Sequence, residues 1–411
     1  MLSIIFALLA GAAVVEKPAE SLRTPDVEAG TFAADVAFLR QHTDITVLSD
    51  ASGVAQVAVA PAWQGRVMTS TAQSGPGRSF GWINRDLVAS ETILPHFNPL
   101  GGEDRVWLGP EGGQFSIYFA SGAPFDLEHW FVPKALDTLP FNLVAQSRHS
   151  ISFRSRFEVT NYSRTRFEVL LNREIQVLEP AAVWSALSLP AIPGVSIVGY
   201  ESINTLTNVG DATWTKETGL LSIWILGMFN PSTESTIAIP YKVGSEPLLG
   251  PVVTSDYFGS VPPDRLKTGN AAIFLRADGR FRSKIGVNPK RSLGKLGSYD
   301  ARHHVLTIVQ FDQPPDATDY VNSLWQIQKS PFAGDALNSY NDGPPAPGKP
   351  PMGPFFELES SSPAAALAPG ESLSHTHRTI HLTGPEDRLD RISRAVLGVS
   401  LADCRSAFST P

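Results

Sequence analysis

The chain of 411 residues has one cysteine, Cys404, and few charged residues. A single cysteine excludes a disulfide within the chain. Charged residues make up 18% of the sequence, and Asp plus Glu (40) outnumber Lys plus Arg (33). No extended basic stripe is present to neutralise a phosphate backbone, so we expect no nucleic-acid partner. The one basic cluster, with Arg280, Arg282, Lys284, Lys290 and Arg291, is interpreted as solvated strand ends.

Several patterns that mark familiar chemistry are also missing. The sequence contains no P-loop, no GxGxxG, no CxxC pair, no GxSxG and no HExxH. No internal repeat with a period of about 20–50 residues is visible, which disfavours solenoids and propellers. Any functional site must therefore be inferred from which side chains share a face of a sheet or helix.

The first residues predict export. An apolar run from Leu2 to about Ala10 is followed by small residues, as in a secretory signal peptide, which we place at residues 1–15. The run is far shorter than the roughly 20 residues that span a bilayer, so we predict no integral membrane segment in the mature chain. A periplasmic or extracellular protein is expected. Residues 16–44 are interpreted as a polar leader that is partly disordered or holds a short helix.

The body of the chain predicts antiparallel strands. The sequence has 33 Gly and 33 Pro, which suit many strands joined by tight turns. Residues 151–160 alternate, with Ile151, Phe153 and Phe157 on one face and Arg154 and Glu158 on the other, as in a half-buried strand. We predict one mainly β domain over residues 45–385, with residues 344–354 as a proline-rich surface loop, and a closing helix and tail over 386–411.

Residues 355–382 concentrate carboxylates and histidines on two predicted strands. Successive side chains of a strand alternate faces, so Glu357 and Glu359 point the same way. The same parity groups His375, His377 and His381. Two carboxylates on one face could divide an acid role and a base role between them. The histidines could act in acid–base catalysis, could be ordinary polar strand residues, or could hold a metal ion with a nearby Glu. No cofactor is expected otherwise.

Longer segments resemble a known family. The sequence has an early Gly-Arg corner (Gly65, Arg66), a Gly-Gly loop (Gly101, Gly102), a strand ending in Thr160-Asn161 and a late Glu-bearing strand followed by Pro369-Gly370-Glu371. This order resembles the galactose mutarotase-like superfamily, which includes the aldose 1-epimerases. Residues 79–84, 101–116, 215–232, 338–343 and 355–372 are similar to an uncharacterised bacterial branch, the DUF6786-type proteins. The resemblance implies a large antiparallel β-sandwich with a few short helices, the supersandwich, which holds a sugar in a cleft on one sheet.

The resemblance also implies roles for individual residues. Glu359 best matches the family's general base, with Glu357 second, and Asp256 is similar to a sugar-binding aspartate. Asn341 and Asp342 are implied to lie in the cleft. The family's acid histidine has no counterpart, because residues 171–174 read Leu-Asn-Arg-Glu and contain no HPYF-like motif. His96, just before the Gly-Gly loop, and His377 are the candidate replacements.

The Gly-rich loop at residues 101–113 adds candidate substrate-binding residues, namely Glu103, Asp104, Arg105 and Trp107. Glycine allows the backbone to approach a ligand closely. Arg105 could bind the carboxylate of a uronate, or could pair with Glu103 or Asp104 within the loop. Trp107, like Trp82, could stack on a sugar or belong to the core.

The sequence therefore predicts an exported carbohydrate-active protein. Proton transfer on a sugar would give mutarotation, epimerisation or β-elimination from a uronate, with a mono- or oligosaccharide as partner. The alternative is a glycan-binding protein without catalysis, and a third interpretation is an accessory domain of an exported complex.

Overall fold

A computed structural model describes residues 30–408. The predicted signal peptide and the first part of the predicted leader lie outside these residues. Within them, strands dominate and the helices are short. The strands are β1 (Thr46–Ser49), β2 (Gln56–Ala60), β3 (Arg66–Thr71), β4 (Arg105–Gly109), β5 (Asn142–Gln146), β6 (Ser150–Thr160), β7 (Arg166–Val177), β8 (Ser196–Asn208), β9 (Ser222–Phe229), β10 (Ser235–Pro240), β11 (Leu266–Thr268), β12 (Ala272–Arg276), β13 (Ser283–Val287), β14 (Lys295–Asp300), β15 (Val305–Phe311), β16 (Leu337–Asn341), β17 (Phe356–Ser361) and β18 (Ser372–Thr383). The helices are α1 (Phe32–Leu39), α2 (Arg85–Ser90), α3 (Lys134–Asp137), α4 (Pro180–Ala186), α5 (Glu246–Leu249), α6 (Glu386–Val396) and α7 (Leu401–Ser406).

The strands form three sheets in which the paired strands are antiparallel. A ten-stranded sheet has the order β11-β12-β10-β14-β15-β18-β8-β7-β6-β5, and a five-stranded sheet has the order β13-β16-β17-β9-β4. The third sheet, β1-β2-β3, has three strands. The predicted mainly antiparallel β architecture is confirmed.

Alternation along the strands decides which face of each sheet is covered. On β15, Leu306 and Ile308 pack with Leu389 and Ile392 of α6, so the helices cover one face of the ten-stranded sheet. Val309, from the alternate positions of β15, packs with Leu358 of β17. The second face of the ten-stranded sheet therefore lies against the five-stranded sheet.

The ends of the domain follow the predicted pattern with shifted bounds. A short helix is present near the start, where Thr31 caps α1 by accepting a hydrogen bond from the backbone N–H of Ala34. The predicted closing helix is two helices, α6 and α7. Ser400 begins α7 with a capping box shared with Asp403. The proline-rich loop connects β16 to β17, as predicted.

Candidate functional site

One face of the five-stranded sheet carries a group of polar and aromatic side chains. On β17, Phe356, Leu358 and Ser360 point toward the ten-stranded sheet, so Glu357 and Glu359 lie on the other face. The register pairs Glu359 with Asn338 and Leu226, and pairs Glu357 with Tyr340 and Met228. By the same alternation, Arg105 and Trp107 of β4 and Lys284 of β13 share that face.

This face forms the floor of a cavity, called the cleft below, of about 530 Å³ counted to its open mouth. Four of the eight tryptophans of the chain contribute to the lining. The residues around the cleft are Phe97, Arg105, Trp107, Glu111, Leu127, Trp130, Trp224, Leu226, Met228, Phe258, Arg282, Lys284, Trp325, Tyr340, Met352 and Glu357.

Glu359 is fully buried behind Lys284 and Trp224, which line the cleft, and is not itself part of the lining. Its Oε2 lies 3.2 Å from Nζ of Lys284 and accepts a 2.8 Å hydrogen bond from the indole N–H of Trp224. Its Oε1 is buried and has no hydrogen-bond partner. Since a buried polar atom without a partner is costly, this oxygen is a natural acceptor for a ligand hydroxyl.

Glu357 and Arg105 form a second hydrogen-bonded pair on the floor. Nη2 of Arg105 donates to Oε1 of Glu357 at 3.0 Å, and both side chains are buried. The guanidinium carbon of Arg105 lies 4.2 Å from the ring centre of Trp107 and 4.9 Å from that of Phe97. These contacts fix the guanidinium, yet its Nε and Nη1 have no hydrogen-bond partner. Arg105 therefore presents donors at a fixed place.

Burial shifts the proton affinities of the ionisable groups in the cleft. Burial raises the pKa of Glu357 to about 8, against the attraction of Arg105 and together with the repulsion of Glu359. Burial also raises the pKa of Glu111. Burial by itself would lower the pKa of Lys284, but the neighbouring carboxylates, with Glu359 first, outweigh it and raise that pKa. Near neutral pH, Glu357 holds a proton that it can donate while Lys284 stays charged.

The raised pKa of Glu357 predicts a pH-dependent stability. Between its ordinary value of 4.5 and about 8, the folded protein holds a proton that the unfolded chain releases, so stability falls as pH rises through this window. We expect Glu357→Gln to remove a slope of up to about 1.4 kcal/mol per pH unit from the free energy of unfolding. Urea unfolding across the window measures it, with Glu217→Gln on the exposed surface as control. Equal slopes in wild type and Glu357→Gln would contradict the proposed protonation of Glu357.

The histidines of β18 are not in the cleft. His375 Nε2 and His377 Nδ1 each lie 2.8 Å from Oγ of Ser360, which points away from Glu359. Burial lowers the pKa of His375 to about 3 and that of His377 to about 4. The structure thus does not bring His377 to Glu359, because β18 belongs to the ten-stranded sheet and presents its histidines to the space between the sheets.

The third histidine of the strand, His381, has separate partners. Its Nε2 lies 3.0 Å from Glu103 and its Nδ1 lies 2.8 Å from the hydroxyl of Thr307. Over residues 30–408, no group of three or more His, Cys, Asp or Glu side chains is placed to hold a metal ion. The metal site considered for these histidines has no support from their arrangement.

Glu103 and Asp104, predicted to bind substrate, are buried away from the cleft. Glu103 accepts hydrogen bonds from the backbone and hydroxyl of Ser70 and from the hydroxyl of Tyr200. Asp104 pairs with Arg173 at 2.6 Å, and neither side chain is exposed. Neither residue is the partner of Arg105. Asp104 alternates with Arg105, and Glu103 lies at a bend before β4, so neither side chain lines the cleft.

Other predicted residues are also held elsewhere. His96 is half-buried outside the lining, with Nδ1 2.7 Å from the carbonyl of Trp130 and its ring stacked on Phe131. Asp256 is exposed and also outside the lining. Trp82 packs against Phe355 in the core.

Asn341 and Asp342 support the loops at the edge of the five-stranded sheet. The amide of Asn341 donates to the carbonyl of Phe281, and its oxygen accepts from the backbone of Gly279. Asp342 accepts from the hydroxyl of Tyr340 at 2.7 Å, and burial raises its pKa to about 6. Of these two residues, Asp342 contacts a residue of the cleft lining, Tyr340, through this hydrogen bond.

Sequence reasoning missed the cleft-lining cations Arg282, just before β13, and Lys284, within β13, and several aromatic residues of the cleft walls. The interpretation of solvated strand ends is wrong for Lys284 and Arg291, which are buried. The guanidinium of Arg282 lies 3.7 Å from the ring centre of Phe258 and lines the cleft. The two-residue spacing of Arg282 and Lys284 could have indicated this arrangement, because side chains two residues apart in an extended segment point to the same side. The walls Trp130, Phe258 and Trp325 come from loops and left no periodic signal.

Comparisons with known proteins give a family and a set of structural likenesses. A galactose mutarotase-like protein from Lactobacillus casei is 14% identical with a TM-score of 0.46, and the match covers 82% of this chain and 100% of that one. Slr1438 protein from Synechocystis sp. is 13% identical with a TM-score of 0.47, covering 83% of this chain and 96% of that one. A galactose mutarotase-like protein from Clostridium acetobutylicum is 12% identical with a TM-score of 0.44, covering 83% of this chain and 99% of that one.

At such identities, these likenesses say nothing about the chemistry of the cleft. No curated protein matches the chain. In the described residues, no helix is long and apolar enough to cross a membrane. The model of the DUF6786 family, a family of unknown function, matches residues 30–408. The chain therefore belongs to the DUF6786 family, as the sequence resemblance predicted.

Proposed function

We propose that the cleft binds a carbohydrate and that Glu359 and Glu357 exchange protons with it. The observation that carries the proposal is the buried Oε1 of Glu359, which has no partner and belongs to a side chain that contacts two lining residues, Lys284 and Trp224, of an aromatic-walled cavity. Sugars combine apolar C–H faces, which stack on aromatic rings, with hydroxyls, which need hydrogen-bond partners. A cavity with tryptophan walls and unpartnered polar atoms on its floor matches both properties. The resemblance to the mutarotase-like superfamily points to the same ligand class.

The two carboxylates divide the proton-transfer roles. Glu359 accepts from Lys284 and Trp224, which are contacts that a carboxylate makes, and its second oxygen is available as a base. Glu357, with its pKa raised to about 8, supplies the acid. Their Cα atoms are two residues apart on one strand, a separation of about 7 Å. A sugar ring between them fits that spacing.

Mutarotation illustrates how the pair acts. Glu359 takes the proton of the anomeric hydroxyl, and the C1–O5 bond breaks as Glu357 protonates the ring oxygen. Rotation about the C1–C2 bond and the reverse transfers close the ring as the other anomer. Lys284 offsets the negative charge of Glu359 between turnovers, because its raised pKa keeps it protonated. Glu357 thus takes the acid role predicted for His96 or His377.

Sugar binding is tested by thermal shift and tryptophan fluorescence against a panel of mono- and oligosaccharides. A ligand of the folded state raises the melting temperature by mass action. Because tryptophans line the cleft, binding also changes intrinsic fluorescence. We expect Trp130→Ala to weaken binding by roughly 2- to 10-fold, as for loss of about 0.5–1.5 kcal/mol in an aromatic contact. Trp63→Ala, at an aromatic residue outside the cleft lining, is the matched control.

The outcomes separate the candidate functions. Binding with turnover in wild type supports catalysis, and binding without turnover supports the glycan-binding alternative. If no sugar on the panel shifts either signal, the carbohydrate proposal fails. Export of the protein remains a separate proposal, which follows from residues 1–15 and is tested by fractionation of cells that express the full chain.

A further inference from the structure

The unpartnered polar atoms of the cleft are mostly donors. Among buried atoms with no hydrogen-bond partner, the lining residues contribute Nε and Nη1 of Arg105 and Nε1 of Trp130 and of Trp325. Glu359 Oε1, behind the lining, is an acceptor that lacks a partner. A neutral sugar hydroxyl both donates and accepts, so it does not account for this asymmetry. A ligand that satisfies the cleft must be rich in acceptors near Arg105.

The fixed charges favour the same kind of ligand. Arg105, Arg282 and Lys284 line the cleft together with Glu111 and Glu357, and Glu359 lies beneath them. Within the lining alone, the three cations exceed the two carboxylates, and the excess grows when a lining carboxylate holds a proton. Burial raises the pKa of Glu111 and of Glu357, and so favours their protonated, neutral forms. The cleft as a whole is therefore suited to an added anion.

We infer that the cleft takes a uronate, with the sugar carboxylate against Arg105 and C5–H directed at Glu359. This inference rests on the proposed carbohydrate function and names its substrate class. Arg105 suits the role because Phe97 and Trp107 hold its guanidinium in place while two of its nitrogens stay available. A carboxylate accepts well from such a guanidinium. The arriving negative charge further favours the protonated form of Glu357.

This placement gives Glu359 a defined proton to remove. The hydrogen on C5 is α to the carboxylate, so the electron pair left when the C5–H bond breaks moves onto the carboxyl group as an enolate. Arg105 offsets that charge. The proton goes to Oε1 of Glu359. Epimerisation follows when Glu357 gives its proton to the opposite face of C5, and the two carboxylates then exchange protons with water. Alternatively, the electron pair forms a C4=C5 double bond and the C4–O4 bond breaks, with Glu357 giving its proton to the leaving oxygen.

Affinity measurements test the charge preference. Methyl glucuronoside and methyl galacturonoside are compared with their methyl esters and with the neutral hexose glycosides by isothermal titration calorimetry. Charge-assisted hydrogen bonds of about 1.5–3 kcal/mol predict roughly 10- to 100-fold tighter binding of the free acids. A sugar phosphate and a sugar sulfate form a second arm, because they offer anionic oxygens without the acidic C5–H.

Variants assign the preference to Arg105. Arg105→Gln alone leaves Glu357 buried without its hydrogen-bond donor, so the Arg105→Gln/Glu357→Gln double variant is the main test. We expect its affinities for the free acid and for the neutral sugar to become about equal, whatever the change in overall affinity. Arg154→Gln, on the exposed face of β6, is the matched control and keeps the preference.

The second readout is proton NMR of the uronate glycoside in D₂O. Loss of the C5–H signal, by deuterium exchange or by formation of the alkene, is expected with wild type and not with Glu359→Gln. Equal affinity for acids and neutral sugars overturns the uronate inference and leaves the carbohydrate function standing. Tighter binding of the phosphate or sulfate than of the uronate also overturns it. If no sugar binds, the proposed function itself fails.

Discussion

Replacing Arg173 by Met is expected to lower the free energy of unfolding by about 3–5 kcal/mol, because it leaves a buried carboxylate uncompensated. Arg173 donates to Asp104 Oδ1 at 2.6 Å, to the carbonyl of Gly65 at 3.0 Å and to Asn204 at 2.9 Å. These bonds join β7 to the segment that precedes β4, and so fix the start of the strand that carries Arg105.

Urea denaturation measures this loss, with Arg154→Met as the matched control. Arg154 lies on the exposed face of β6, where such a change costs within about 0.5 kcal/mol. The Arg173→Met/Asp104→Asn double variant should recover part of the loss, because it removes both charges. Equal stability of Arg173→Met and Arg154→Met would show that the Arg173–Asp104 pair does not support the domain.

Glu359→Gln is expected to reduce turnover of the cognate sugar by on the order of 10²–10⁴-fold, the usual contribution of a general base. The amide keeps the shape of the side chain but cannot take a proton from the sugar. Sugar binding should change far less than turnover, because the walls of the cleft remain. Initial rates and calorimetric affinities on the same preparations measure the two effects separately.

Two controls separate a loss of catalysis from a nonspecific effect of the substitution. Glu217→Gln, at an exposed position outside the cleft, should leave turnover unchanged. Since Glu359→Gln also leaves Lys284 without its counter-charge, circular dichroism must show that the variant is folded. Glu357→Gln should abolish the alkaline limb of the pH–rate profile, which wild type shows near the pKa of about 8 for Glu357. Full turnover by folded Glu359→Gln would remove Glu359 from the mechanism.

The sequence predicted the sheet architecture and part of the floor because both depend on local alternation. Glu357 and Glu359 share a face, as predicted, and Arg105 and Trp107 line the same cleft. The period of a strand shows which side chains share a face, but it does not show which layer that face meets. For this reason His375, His377 and His381 were placed in the site, although their face meets the interior.

Partners far apart in the chain could not be predicted from sequence. Lys284 pairs with Glu359 across β16, which lies between their strands. The charge cluster around Lys284 was interpreted as solvated because its partner is 75 residues away in sequence. The walls depend on loop conformations with no repeating pattern. The identities of Trp130, Phe258 and Trp325 as lining residues therefore required the structure.

A crystal structure of the wild-type protein with a saturating uronate glycoside tests the central claim most directly. The account predicts a sugar ring in the cleft, with C5–H directed at Glu359 Oε1, its carboxylate within hydrogen-bond distance of Arg105, and its apolar face against a tryptophan. A sugar bound on another surface, or a cleft that stays empty while the sugar binds in solution, would contradict the account.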